Sequence, residues 1–150
     1  MDNSYKYKYK PCTIVIYEGK KDTYLKEMSL IAYEKDSKKI VAVGNDAENL
    51  LSSDDNIVIM SPLKNGFIAN FDEAHIMFKY FIKKVHKSNV FSKPKVIICV
   101  PPEPTDVEEK SYNDTLLFSG AKQVSITQES IDNIMSDEKD NYDIIISILI

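Results

Sequence analysis

The sequence contains no arginine, and all 19 of its basic residues are lysines. Arginine is the usual side chain for bidentate contacts with phosphate and guanine, so its absence disfavours sequence-specific DNA recognition. Cysteine is also scarce: Cys12 and Cys99 form no C-x-x-C pair, which argues against a disulfide framework and against a zinc site. Both cysteines lie in β-branched runs, and we expect them to be buried core thiols.

No apolar run approaches the ~20 residues of a membrane-spanning helix, and the lysine-rich start lacks a signal-peptide pattern. We therefore expect a soluble, cytoplasmic protein. Its 150 residues, 43% of them hydrophobic, suit one domain with one core. The net charge of −4 is unevenly spread, because residues 1–100 carry 16 lysines against 12 acidic residues and residues 101–150 carry 3 against 11. This asymmetry favours either head-to-tail contacts or a solvated acidic segment.

The first eleven residues alternate tyrosine and lysine and end at Pro11. The pattern is typical of an edge strand with a tyrosine face or of a disordered arm. We favour the arm, residues 1–11, and assign residues 12–150 to a single domain. After the arm, β-branched runs and turn residues predict three strands in meander order, Thr13–Tyr17, Ser29–Tyr33 and Ile40–Val43. They are followed by a short helix over Asn45–Leu51, a polar loop over Ser52–Asp55 and a fourth strand over Ile57–Met60.

The clearest helical pattern follows Asn70 and extends over residues 71–87. Asn70 and Glu73 have the spacing of a capping box. Apolar side chains at helical spacing predict a core face of Ala74, Met77, Phe78, Phe81, Ile82 and Val85. His75 and His86, the only histidines, fall on the opposite face, where we expect them to be solvated and to bind no metal.

The rest of the chain alternates strands and helices. Thr105 and Glu108 have the layout of a second capping box, and Gly120 suits the left-handed residue that follows a helix. The predicted elements are a strand over Val96–Val100, a helix from Thr105 to Ser119, a strand over Gln123–Ile126, a helix over Gln128–Met135 and a strand over Asp143–Ile150. This order predicts an α/β fold, a mixed sheet with helices packed on its faces.

The sequence contains two specific strings, Ser61–Asp72 continuing into Met77–His86, and Lys93–Pro101. Both strings resemble the MreB family of rod-shape-determining bacterial actin homologues. The resemblance extends over about residues 12–130. It implies the N-terminal subdomain of an actin-like fold, with a ribonuclease H-like sheet, and it covers less than half of such a protein.

The resemblance fails where that family holds nucleotide. The family uses an Asp-x-Gly-Thr turn after its first strand and a glycine-rich turn at the start of its second half. Here Tyr7–Lys10 stands in the first place, and Asp143–Ile150, without a glycine, in the second. Tyrosine and lysine neither bring backbone N–H groups close to a phosphate nor organise Mg²⁺. We therefore predict no cofactor, no metal and no working catalytic residue.

One relic of the family site is present. Glu129 matches by position the glutamate that the family uses to polarise the attacking water. A carboxylate orients water usefully only if a phosphate is held in line with it, so we interpret Glu129 as a helix N-terminal residue. In the full family fold, one face of this subdomain meets the other half of the protein. We expect that face to lie at the strand ends near Thr13 and Asp143, with Glu129 beside them.

The resemblance leaves two functional hypotheses. The first is a non-catalytic, non-enzyme interaction protein linked to cell shape or envelope morphogenesis; the alternative is a residual ATP-binding half-site completed by another chain. The expected partners are a second copy in a dimer, a full-length MreB-type filament or another morphogenesis factor. The acidic balance argues against nucleic acid, and the three lysines of the arm allow at most weak peripheral membrane contact.

Overall fold

The computed structural model describes residues 8–50, 55–86 and 92–150. The arm before Lys8, most of the predicted Ser52–Asp55 loop and the predicted helix end at Lys87 lie outside the described residues. In chain order the described elements are β1 (Thr13–Glu18), β2 (Thr23–Met28), β3 (Ile31–Glu34), β4 (Ile40–Val43), α1 (Asn45–Glu48), β5 (Ile57–Met60), β6 (Leu63–Lys64), β7 (Phe67–Ile68), α2 (Phe71–Val85), β8 (Lys95–Cys99), α3 (Asp106–Phe118), β9 (Gln123–Thr127), α4 (Ile131–Asp137), a 3-10 turn (Lys139–Asn141) and β10 (Ile144–Leu149).

The main sheet has five strands in the order β2-β1-β10-β8-β9. Strand β10 runs parallel to β8, and β8 runs parallel to β9, whereas β1 is antiparallel to both β10 and β2. The predicted mixed sheet is therefore confirmed. Ile144 to Ile148 of β10 are all buried, as expected for a central strand that has other elements on both faces.

The predicted meander of the first three strands is wrong. Strand β1 belongs to the main sheet, whereas β3 and β4 form a separate three-stranded sheet with β5, in the order β4-β3-β5. Strand β2 lies between them in the chain and was not predicted, because its exposed Tyr24 and Lys26 interrupt the apolar pattern. It returns antiparallel to β1 after a turn in which Asp22 has a φ of 51°.

Helices cover both faces of the main sheet. Helices α2 and α3 pack on one face, against alternate residues such as Ile14, Val96 and Ile146. Helix α4 packs on the other face, where Ile134 meets Ile97 and Ile145. Cys12 and Cys99 are free and buried, one in each cluster, as the sequence predicted.

Helix α2 has the predicted core face, and all six of the apolar residues expected to be buried are buried. Its predicted capping box is wrong, because the Asn70 side chain makes no capping hydrogen bond. The backbone carbonyl of Asn70 accepts instead from the Ala74 N–H at 2.9 Å. The helix start is stabilised by the acidic charges of Asp72 and Glu73, which favour the positive end of the helix dipole.

Helix α3 has both of its predicted ends. Thr105 Oγ1 accepts from the Glu108 N–H at 3.1 Å, and Glu108 Oε1 accepts from the Thr105 N–H at 2.9 Å, which completes a capping box. At the other end Gly120 has a φ of 115°. The N–H of Ala121 donates to the Leu116 carbonyl, the closing bond of a Schellman motif.

A buried carboxylate links the two larger sheets. Glu27 of β2 is 5% exposed, and its Oε1 accepts from the N–H of Asn45 at the start of α1. Its Oε2 lies 3.3 Å from Nζ of Lys84 on α2. Gly44, with a φ of 70°, leaves room for this carboxylate, which a Cβ at that position would strike. Strand β2 of the main sheet, helix α2 and the start of α1, which follows the smaller sheet, therefore meet at one buried carboxylate.

Replacing Phe81 by alanine tests the placement of α2. The ring is fully buried between the sheet and the helix, so Phe81→Ala is expected to lower the free energy of unfolding by about 3–5 kcal/mol through lost contacts and a residual cavity. Urea denaturation followed by circular dichroism measures the change. The matched control is Lys79→Ala on the exposed side of the same helix, expected to change stability by less than about 0.5 kcal/mol. Equal stabilities of the two variants would contradict this packing.

Candidate functional site

The carboxyl ends of β8, β9 and β10 meet at one edge of the main sheet, which we call the carboxyl edge. The register aligns Cys99 with Thr127 across β8 and β9. It also pairs Leu149 with Thr13 at the start of β1. In open α/β sheets ligands bind outside the carboxyl ends of the parallel strands, so this edge is the candidate site.

A cleft of about 320 Å³ opens at the carboxyl edge. Its lining residues are Cys99, Val100, Pro101, Pro102, Gln128, Glu129, Ser130, Ser147, Ile148, Leu149 and Ile150. Neither a lysine nor a glycine is among them. The two prolines have no backbone N–H to offer, and Leu149 and Ile150 expose 45% and 75% of their surface. The lining thus combines exposed aliphatic side chains with the Glu129 carboxylate and with uncharged polar side chains such as Gln128 and Ser130.

That carboxylate is Glu129, which lies in the cleft but not in a helix. Its N–H donates to Thr127 Oγ1 at 3.1 Å, and the next residue, Ser130, caps α4 by accepting from the Asn133 N–H at 3.3 Å. The helix therefore begins at Ile131, three residues later than the predicted Gln128. The interpretation of Glu129 as a helix N-terminal residue is wrong, since it precedes the capping residue.

The Cys99 thiol lies beneath this carboxylate. Burial, and then the negative charge of Glu129, raise the pKa of Cys99 to about 11. The thiolate is the nucleophilic form of cysteine, so this environment makes Cys99 inert at neutral pH. Cys12 is similarly protected, because burial raises its pKa as well.

Thr13 and Asp143, both expected beside Glu129, lie at opposite ends of the strands of the main sheet. Thr13 is at the carboxyl edge, as predicted, but Asp143 is not. Because β10 is antiparallel to β1, Ile144 at its start pairs with Glu18. The carbonyl of Asp143 accepts from the Gly19 N–H, and its Oδ2 accepts from the Lys95 N–H at 2.8 Å. Asp143 therefore belongs to the far edge and anchors the start of β8.

A small hairpin, β6–β7, packs against two residues of the carboxyl edge, Pro101 and Ile148. Its two turn residues, Asn65 and Gly66, both have positive φ, 52° and 84°. Gly66 packs against Pro101 and Ile148 so closely that a Cβ would overlap the proline ring, and its carbonyl accepts from the buried Tyr112 hydroxyl at 2.6 Å. The Asn-Gly pair is a strong hairpin signal that the sequence analysis missed, because each strand has only two residues.

The described end of the Tyr/Lys segment reaches the same hairpin. Nζ of Lys64 on β6 lies 5.6 Å from the centre of the Tyr9 ring, a cation–π distance. Tyr9 is half-buried, whereas Lys8 and Lys10 are exposed. Lysine side chains thus lie on the hairpin side of the carboxyl edge, and the negative charge of Glu129 lies on its other side.

The two histidines lie away from this edge and differ from each other. His75 is half-buried, not solvated as predicted: its ring packs edge-on against Phe118 at 4.5 Å, and Nδ1 lies 3.4 Å from Ser119 Oγ. This burial lowers its pKa. His86 Nε2 lies 2.9 Å from the Ser92 carbonyl. Within residues 8–50, 55–86 and 92–150, no three His, Cys, Asp or Glu side chains are grouped as metal ligands.

The proximity of Glu129 and Cys99 predicts a linked titration. Alkylation of Cys99 by iodoacetamide, followed across pH by peptide mass spectrometry, should accelerate towards an inflection at about 11. Glu129→Gln should lower that pKa, because it removes a negative charge that opposes the thiolate. The thiol also favours folding below its ordinary pKa of 9.0, and this contribution is lost as pH rises towards 11. Glu103→Gln is the control; an unshifted inflection in Glu129→Gln would contradict the geometry.

Solved structures resemble this fold. MreB5 of Spiroplasma citri bound to AMPPNP aligns with a TM-score of 0.70 over 83% of this chain and 38% of that one, at 22% identity. The MamK double helical filament aligns with a TM-score of 0.63 over 76% of this chain and 39% of that one, at 13% identity. At such identities the likeness establishes the fold, and the predicted actin-like subdomain is confirmed.

Sequence comparison is more specific. The family model for MreB/Mbl protein matches residues 11–136. The cell shape-determining protein Mbl of Bacillus subtilis is 38% identical over 117 residues, and the cell shape-determining protein MreB of Escherichia coli K12 is 35% identical over 122. In both cases the match covers 77% of this chain and 35% of the relative, so the chain spans about a third of their length. The chain belongs to the MreB/Mbl family.

Proposed function

We propose that this chain is a non-catalytic interaction protein of the MreB/Mbl family that acts in cell shape or envelope morphogenesis without turning over nucleotide. Its partners are a second copy of itself, a longer MreB-type filament or another morphogenesis factor. The proposal assigns residues 12–150 to one actin-like domain and residues 1–11 to an arm. The family relationship and the names of the relatives support the role in cell shape. The chemistry of the carboxyl edge supports the absence of nucleotide turnover.

The observation that carries the proposal is the lining of the cleft. A nucleotide phosphate needs backbone N–H groups or cations directed at its oxygens. The described lining of the cleft offers two prolines, exposed aliphatic side chains, uncharged polar side chains such as Ser130 and the carboxylate of Glu129, and it includes no cation. A carboxylate repels phosphate unless a divalent ion lies between them, and one carboxylate with no neighbouring acidic ligand is a poor Mg²⁺ site. The same open surface, with its exposed aliphatic side chains beside polar ones, is suited to a protein partner.

A residual ATP-binding half-site is the second candidate. Glu129 does lie in a cleft at the carboxyl edge, the position that the family resemblance implies for the hydrolytic carboxylate. A second chain that supplied phosphate contacts could complete such a site. This candidate requires nucleotide binding that appears only with the partner present.

Neither nucleic acid nor a membrane is favoured as the main partner. The exposed lysines of α2, such as Lys79 and Lys83, have no arginine beside them and lie in an acidic protein. Among the described helices, none has the length and apolarity needed to cross a bilayer. Lys8 and Lys10 beside the half-buried Tyr9 allow at most weak peripheral contact with anionic lipid.

Calorimetric titration with Mg-ATP tests the loss of the nucleotide site. We expect no dissociation constant below about 1 mM, which corresponds to only ~4 kcal/mol of binding. We also expect no release of phosphate from Mg-ATP above the buffer background. A micromolar constant that disappears in Glu129→Ala, but persists in the control Glu103→Ala, would overturn the non-catalytic proposal in favour of the half-site.

Co-sedimentation with filaments of Bacillus subtilis Mbl tests the interaction itself. We expect the chain to pellet with the filaments and to remain in the supernatant without them. Leu149→Asp with Ile150→Asp should reduce the pelleted fraction, because these side chains form the exposed apolar part of the cleft. The matched control is Val107→Asp, which changes a 77% exposed apolar residue on α3. Pelleting that is equally reduced by both changes would argue against the carboxyl edge as the binding surface.

A further inference from the structure

Strand β9 is an outermost strand of the main sheet, so it forms one lateral edge of the sheet, which is distinct from the carboxyl edge at the strand ends. Among the described strands it pairs only with β8, and its five residues are exposed or half-buried, in contrast to the mostly buried residues of β8 and β10. The Thr127 carbonyl accepts from the Val100 N–H and therefore points towards β8. Since backbone groups alternate in direction along a strand, those of Val124 and Ile126 point away from the sheet. Among the described residues none pairs with this outer row.

The two edges of this sheet are protected differently. Natural edge strands usually carry charges, proline or bulges that prevent pairing with another chain. The opposite edge, β2, has the exposed charge of Lys26. Strand β9 reads Gln-Val-Ser-Ile-Thr, with neither a charge nor a proline, and its register with β8 has no bulge. It is the unprotected edge.

The sequence of β9 is complementary to itself. In an antiparallel pair of two copies centred on Ser125, Val124 of each copy lies opposite Ile126 of the other. These are the two residues whose backbone groups point outward, so each opposed pair exchanges two N–H···O bonds. Cross-strand pairs of β-branched residues are also favourable in sheets. The two Ser125 residues face each other on the symmetry axis.

The charges that flank β9 agree with this arrangement. Lys122 precedes the strand and Glu129 follows it, and both are exposed. In an antiparallel pair the beginning of one strand lies beside the end of the other. Lys122 of each copy therefore approaches Glu129 of the other, and a parallel pair would place like charges together instead.

We propose that two copies of this chain associate through antiparallel pairing of β9, so that the two five-stranded sheets become one continuous sheet about a two-fold axis at Ser125. This inference specifies the surface for the self-association in the proposed function and rests on it. A two-fold pair uses one patch on both copies and closes after two, which leaves the aliphatic end of the carboxyl edge, Leu149 and Ile150, free for a filament in each copy.

Charge substitutions at Ser125 test the proposal. Sedimentation of the full chain is expected to give a species of twice its mass of 17.1 kDa. Ser125→Lys alone and Ser125→Glu alone should each weaken the dimer at least about tenfold, because like charges then face each other on the axis. Mixing the two variants should restore a dimer of one copy of each, because their charges are opposite.

Thr23→Lys on the opposite edge strand β2 is the matched control and should leave the dimer unchanged. Circular dichroism and thermal unfolding of each variant establish that it is folded, and restoration in the mixture does so independently. A monomer at every concentration, or a dimer that survives Ser125→Lys, would overturn this interface. Pelleting with Mbl filaments is measured separately. If the β9 dimer is absent but the chain still pellets, this interface is wrong and the proposed function stands. If the dimer forms but the chain does not pellet, only the filament partner is removed from the proposed function.

Discussion

The pairing of β10 between β1 and β8 is the interaction on which the rest of the structure depends. Without it the main sheet consists of two separate pairs, β2–β1 and β8–β9, with no ladder between them. Ile144 and Ile146 extend the core under α2 and α3, while Ile145 does the same under α4, so one strand supplies both cores. Strand β10 begins eight residues after the end of the family match at residue 136. The part of the chain most similar to its relatives is therefore held together by a strand outside that match.

The direction of β10 also determines the chemistry of the carboxyl edge. Because the strand is parallel to β8, its last residues, Ser147 to Ile150, end beside Pro101 and Glu129 and form a wall of the cleft. The exposed side chains of this strand end, Leu149 and Ile150, are aliphatic and therefore offer a phosphate no cation. The strand that completes the sheet is thus the same one that brings exposed aliphatic side chains to this edge. Stability of the fold and the proposed loss of nucleotide binding have a common structural cause.

Local features of this fold could be predicted from the sequence, and pairing between distant segments could not. The spacing of Met77, Phe78 and Phe81 identifies the core face of α2 because helical periodicity is a local property. The capping box of Thr105 and Glu108 is equally local. Strand β1, in contrast, looks like the first strand of a meander until its partner β10, more than a hundred residues away, is known. The same applies to the site: Glu129 could be located, but Asp143 was assigned to the wrong edge, because only the antiparallel register of β10 with β1 separates it from Thr13.

Glu129 connects the two surfaces discussed for this protein. It lies in the cleft of the carboxyl edge, and it follows β9 by only two residues. In the proposed antiparallel pair of copies, Lys122 of one molecule would approach Glu129 of the other and neutralise that charge of the cleft. Neutralisation also removes part of what holds the Cys99 pKa high, so association and the ionisation of Cys99 are coupled through one carboxylate. A residue that the family resemblance places in hydrolysis would thereby link the proposed self-association electrostatically to the carboxyl edge.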